Sequence, residues 1–137
     1  MKNNLFIIDT NTLISSSLSK YGAPRKAVTK ANLIGKISAS NETYNEFLET
    51  LLRPKFDRYL SRETRLEILL DFKKLAIFSK ITETITDCRD PKDNKFLELA
   101  ISSNASCIIS GNKDLLALHP FRGIPILNAT DFINNFL

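Results

Sequence analysis

Histidine occurs once in this chain, as His119, and it precedes Pro120 in a loop setting, so any chemistry that passes a proton between two imidazoles is excluded. The two cysteines, Cys88 and Cys107, have neither C-x-x-C nor metal-ligand spacing. Cys107 lies in an apolar run, where a small buried thiol is the ordinary reading, and a disulfide is not expected. There is no G-x-S-x-G elbow, no P-loop and no G-x-G-x-x-G, which removes the serine-nucleophile arrangement and the commonest nucleotide cradles. Tryptophan is absent. Long hydrophobic runs are missing too: Met1-Lys2 leads into a short apolar stretch that ends at Asp9, too brief for a secretory segment or a membrane span, which makes the cytoplasm the expected location.

What remains is one domain's worth of chain, residues 1–137, able to bury roughly two thirds of its unfolded surface. Hydrophobic residues make up 43% and charged residues 25%, values of a compact fold rather than a disordered tail. A net charge of +4 leans toward polyanionic partners. Arg53, Lys55, Arg58, Arg62 and Arg65 lie in a stretch whose only acids are Asp57 and Glu63. Arg53, Lys55 and Arg58 are its candidates for phosphate contact, although no aromatic ladder for base stacking accompanies them.

Strands and helices alternate along the chain. Leu5 to Ile8 is a continuous apolar run, as expected of a strand covered on both faces. Turn and cap residues follow, then a helix through Leu13, Ile14 and Leu18, broken at Tyr21-Gly22-Ala23-Pro24 before a second from about Arg25 to Leu33. Residues 36–40 read as a strand. Asn41 is placed to cap a helix carrying Tyr44, Phe47, Leu48, Leu51 and Leu52 on one face, which Pro54 stops. Ser61 opens the next helix, and Ile81 to Ile85 is the strand candidate after it. Asp90-Pro91 starts a helix, Cys107 to Ile109 is a buried strand, and Ile124 to Leu127 is a last strand, at the sheet edge because Pro125 has no N–H to donate. A helix from about Thr130 to Phe136 closes an α/β chain with a parallel sheet.

Carboxylates recur at the downstream ends of these strands or in first helical turns: Asp9, Glu46, Asp93 and Asp114. Each has an ordinary alternative. Thr43-x-x-Glu46 has capping-box spacing, Asp90-x-x-Asp93 imitates it, and Asp114 follows the potential cap Asn112. Together they suggest a cluster over the crevice beyond the strand ends. Hard oxygen donors without histidine or cysteine select Mg²⁺ or Mn²⁺, ions that commonly bind substrate phosphates, so phosphodiester chemistry is the expectation.

Asp9-Thr10-Asn11 after an apolar strand, Glu46 in the following helix, the run Asp90-Pro91-Lys92-Asp93-Asn94-Lys95-Phe96-Leu97-Glu98-Leu99-Ala100, and Ser110-Gly111-Asn112-Lys113-Asp114-Leu115-Leu116 together resemble the PIN-domain family. The closer likeness is to its small single-domain branch, described as toxin components of toxin-antitoxin modules. The resemblance implies a three-layer α/β/α sandwich with a central parallel sheet and an Mg²⁺- or Mn²⁺-dependent endoribonuclease. It also implies a separately encoded antitoxin and the possibility of a homodimer. It places Asp9, Glu46, Asp93 and Asp114 in the catalytic set and adds Asn112 to the metal ligands, as a neutral oxygen where many relatives carry Asp. Ser110 and Thr10 would orient these ligands. A catalytically weakened RNA-binding module is the competing expectation. A phosphoacceptor signalling domain fits less well, since it wants paired acids near the first strand and only Asp9 stands there.

Overall fold

The computed structural model describes residues 3–136. Its elements in chain order are β1 (Leu5–Ile8), α1 (Thr10–Leu18), α2 (Ala23–Ile34), β2 (Lys36–Ala39), α3 (Asn41–Leu51), α4 (Arg62–Leu75), β3 (Ile77–Phe78), α5 (Asn94–Ser103), β4 (Cys107–Ile109), α6 (Lys113–Leu116), β5 (Ile126–Leu127) and α7 (Ala129–Asn135). The five strands form one sheet in the order β3-β2-β1-β4-β5, every pairing parallel.

Strand periodicity sorts the core into two layers. Phe6, Ile8, Cys107 and Ile109 face one cluster, with Leu13, Ala27, Phe47, Leu69 and Phe132 from α1, α2, α3, α4 and α7. Ile7 and Ile108 face the other, with Phe96, Leu97 and Ala100 from α5 and Leu115 from α6. Both faces of β1 and β4 are therefore dry, which explains why their sequences are continuous apolar runs instead of alternating ones. The result is the three-layer α/β/α sandwich. Phe6 also fixes α7: its ring meets Phe132 and Phe136 edge-on, at centroid distances of 5.2 and 5.3 Å. Lys30 on α2 donates to the carbonyls of Phe132, Ile133 and Phe136, satisfying the end of α7 where a cation also meets the negative pole of the helix.

Several boundaries differ from the sequence reading. Helix α3 is capped by Ser40, not Asn41: Ser40 and Thr43 exchange the reciprocal bonds of a capping box. The strand expected at 81–85 lies instead at Ile77–Phe78, paired with Ser38 and Ala39. Residues 81–85 lie outside the sheet, and two of their amides find side-chain acceptors on α5. Thr82 N–H donates to Ser102 Oγ at 2.9 Å and Ile85 N–H to Glu98 Oε2 at 2.9 Å. Ile85 is buried against that layer, so the stretch packs on a helix instead of pairing with a strand. The last strand begins at Ile126, on the sheet edge as Pro125 requires; the Pro125 carbonyl accepts from Ile108 N–H. Cys88 and Cys107 are free and buried, and burial pushes the Cys107 thiol up to about 12. Among the described residues no helix is long and apolar enough to cross a membrane.

Candidate active site

The order β3-β2-β1-β4-β5 turns back beside β1: β2 lies on one side of it and β4 on the other, so the loops leaving β1 and β4 splay apart over the strand ends. A cavity of about 290 Å³ opens there, and Asp9, Thr10, Glu46, Thr50, Asp93 and Asn112 are among its walls, with Arg53, Lys92 and Glu49 on the same lining. Four residues drawn from the ends of β1 and β4, from α3 and from the start of α5 thus meet in one cleft.

Asp9 is buried, 4% exposed. Its Oδ1 accepts the Thr12 amide at 2.9 Å, capping α1, and its Oδ2 accepts the Ser110 hydroxyl at 2.5 Å. Ser110 Oγ in turn accepts the Asn112 amide at 3.0 Å. The loop after β4 is thereby tied to the loop after β1 through a charged acceptor, the stronger kind of hydrogen bond.

Glu46 stands in the middle of α3. Because Ser40 and Thr43 already close the capping box, Glu46 is released from the capping role its spacing from Thr43 suggested. Its Oε1 accepts the Thr10 hydroxyl and its Oε2 the ammonium of Lys95. Lys95 is a participant the sequence reading passed over. It lies within the run from Asp90 to Ala100, but nothing local signals that a lysine two residues after Asp93 turns toward Glu46.

Asp93 sits at the boundary between a 3₁₀ turn, Pro91–Asp93, and α5, and makes no side-chain cap. Asp90 takes the local amide instead, accepting from Lys92 N–H at 3.1 Å. Burial raises the Asp93 carboxyl above the ordinary aspartate range; the Asn112 hydrogen bond lowers it, Asp90 and Glu46 raise it further, and Lys95 lowers it.

Asn112 and Asp114 depart from the expected roles. Asn112 Oδ1 accepts the Asp114 amide at 2.8 Å, capping α6, while Nδ2 donates to Asp93 Oδ2 at 2.8 Å. A backbone N–H on one side and a carboxylate on the other fix the orientation of the amide. The oxygen expected to face an ion is therefore engaged in the α6 cap, and it is the amino group that meets Asp93. Asp114 is held outside the cleft lining by Arg89, whose Nε and Nη2 donate to its two oxygens at 2.9 and 3.0 Å. His119 faces elsewhere, its Nδ1 accepting the Ile126 amide at 2.8 Å.

The basic stretch divides. Arg53 reaches the cleft. Lys55 and Arg58 are exposed over the rings of Phe56 and Tyr59, away from the lining. Arg65 is not a surface charge at all: it is 1% exposed and donates to Asp57 Oδ1 at 2.5 Å and to the carbonyls of Leu51 and Arg53 at 3.1 and 3.3 Å.

Carboxylates with hydroxyls and no histidine or cysteine on the lining suit a hard divalent ion, and Asp9, Glu46 and Asp93 are the oxygens that would hold it. Among the described residues no three acidic, histidine or cysteine side chains are already gathered as a coordination shell. Each acid is instead turned to a donor of the protein.

A family model described as a PIN domain matches residues 6–114. The chain is 36% identical over 117 residues to the uncharacterized protein MJ1680 of Methanocaldococcus jannaschii, covering 82% of this chain and 73% of that protein. Its fold is similar to a chain in the crystal structure of VapBC2 from Rickettsia felis bound to a DNA fragment from their promoter, with a TM-score of 0.59, 12% identity, and coverage of 90% of this chain and 98% of that one.

Proposed function

From its membership of the PIN-domain family, whose domains are generally nucleases, we propose that this chain is a metal-dependent endoribonuclease and the toxin component of a type II toxin-antitoxin module. The observation that carries the catalytic half is the cleft itself, where Asp9, Glu46 and Asp93, far apart in sequence, line one cavity with hydroxyls and no soft ligand.

A bound Mg²⁺ or Mn²⁺ supplies Lewis acidity toward a phosphate oxygen and lowers the pKa of a coordinated water. The residues supply the rest. Asp9 and Asp93 would hold the ion from either side of the sheet's switch point, with Ser110 keeping Asp9 oriented and Asn112 keeping Asp93 oriented. Glu46, across the cleft, would complete the set or orient water. Arg53, on the same lining, would meet the RNA backbone.

The partner half rests on a second surface. A cavity of about 290 Å³ lies between α1, α2, α3 and α4, walled by Leu13, Val28, Phe47, Ile68 and Phe72, with Arg25 and Asp71 also on its lining. Leu75, on the same lining, is 62% exposed. An antitoxin helix with an apolar face suits such a groove, and the likeness to a VapBC2 chain is consistent with it.

Purified protein should cut single-stranded or structured RNA with Mn²⁺ or Mg²⁺, stop on adding chelator, and stay inactive as Asp9→Asn with metal present. Cleavage that survives chelator would reject the metal-dependent reading. The commitment of the Asn112 oxygen to the α6 cap and of Asp114 to Arg89 favours one alternative, a PIN domain that binds RNA but cleaves it weakly; metal-stimulated turnover on a bound RNA separates the two.

The division of the basic stretch gives a further expectation. Arg53→Ala should weaken RNA binding and reduce the slope of log K against log salt by about 0.7, one phosphate contact on a single strand. Lys55→Ala and Arg58→Ala should each change it less. Equal slopes for wild type and Arg53→Ala would remove that residue from the RNA path.

A further inference from the structure

Lys95 is the one cation among the described residues whose side chain is bonded to an acid of the cleft, and local structure gives little reason for it to be there. It lies in the first turn of α5, beside the positive pole of the helix, where a cation is disfavoured. Its side chain is only 18% exposed, so a long flexible stem is immobilised. Its partner Glu46 is 30% exposed, and a partly desolvated pair of this kind contributes little net stability. With Thr10 on Oε1 and Lys95 on Oε2, both oxygens of Glu46 are engaged. Lys95 also lowers the energy of the ionised form of Asp93, a second acid of the same cleft.

The lysine therefore already supplies positive charge at the place where the proposed function requires a divalent ion. An ion reaching for Glu46 must displace the ammonium or bind beside it, and at contact distances in a partly buried cleft like charges repel strongly. Resting on the metal-dependent reading, we infer that Lys95 is a positioning residue that acts as a resident counter-ion, competing with the divalent ion for Glu46. The metal-free cleft is thereby kept neutral enough to fold around three acids, at the cost of affinity for the ion. Metal entry and the release of the Lys95 side chain are one coupled exchange.

The test is calorimetric titration of Mn²⁺ into the purified protein without RNA. Lys95→Met, which keeps the length of the stem and removes the charge, should bind Mn²⁺ about tenfold or more tightly than wild type. Lys92→Met, which removes a charge from the same lining but not from Glu46, should change affinity much less. The metal-free Lys95→Met protein should also melt no higher than wild type, since three acids then lack their counter-ion. Should Lys95→Met fail to fold, Lys95→Gln is titrated to the same criterion. A wild type that binds Mn²⁺ and a Lys95 variant that binds it equally or more weakly would overturn the competition while leaving the metal site standing. An equal gain in Lys92→Met would overturn it as well, by reducing the effect to general charge. Absence of Mn²⁺ binding in wild type and Lys95 variant alike would remove the metal-dependent reading and the competition with it, whereas binding by the Lys95 variant alone would support both.

Discussion

Asp93→Asn is expected to lower metal-dependent RNA cleavage about a thousandfold or more and, in the same protein, to raise the melting temperature of the metal-free form. The first effect follows from removing one of the carboxylates that would hold the ion, whose charge stabilisation in such reactions is worth several kcal/mol. The second follows from the Asp93 environment. Burial raises its carboxyl and the neighbouring Asp90 and Glu46 charges raise it further, so its ionised form is a liability to the fold. An asparagine there keeps an oxygen for Asn112 Nδ2 and loses the charge. Because the folded-state pKa exceeds the unfolded one, the folded protein binds the proton more readily. The penalty is full above the raised pKa and fades as pH falls through it toward the ordinary aspartate range. The stability gained by Asp93→Asn should shrink over that same window. A melting curve that falls on substitution, or a gain that grows in acid, would contradict this account; retained cleavage would contradict the site.

Arg65→Ala carries the largest expected loss of stability, about 3–5 kcal/mol, read as a shift in the urea midpoint. Arg65 is 1% exposed and reaches three carbonyls and a carboxylate from one side chain. Truncation leaves the Leu51 carbonyl short of a donor, removes one of the two donors to the Arg53 carbonyl, and opens a cavity where a buried side chain stood. Asp57, 65% exposed on its side chain, regains water, so Asp57→Asn should cost far less. Arg65→Lys should recover only part, since an ammonium cannot reproduce the planar fork. An Arg65→Ala protein within about 1 kcal/mol of wild type would refute the structural role given to this side chain.

The layer architecture was readable because β1 and β4 are apolar on both faces, a pattern few other arrangements produce. Asp9 and Asp93 were readable because one follows a strand and the other opens a helix, and Glu46 because it stands off the apolar stripe of the helix after β2; the structure brings all three to one cleft. What the sequence did not disclose was how side chains pair across the fold. Arg65 looks like its neighbours Arg58 and Arg62, and only the packing of α4 over the segment that follows α3 distinguishes it. Asn112 and Asp114 looked like ligands from the family resemblance, but which way the Asn112 amide turns and which acid an arginine claims are decided by residues distant in sequence, Asp93 being 19 and Arg89 25 positions removed. The 81–85 stretch failed for a related reason, since acceptors on α5 stood in for a neighbouring strand.

The bond between Ser110 and Asp9 spans 101 positions of the polypeptide. A nascent chain still attached to the ribosome thus holds Asp9 and Glu46 long before the loop after β4 emerges to fasten the first of them, and β1 itself lacks one of its two flanking strands until then. Synthesis therefore completes the walls of the cleft late, when most of the chain has already emerged.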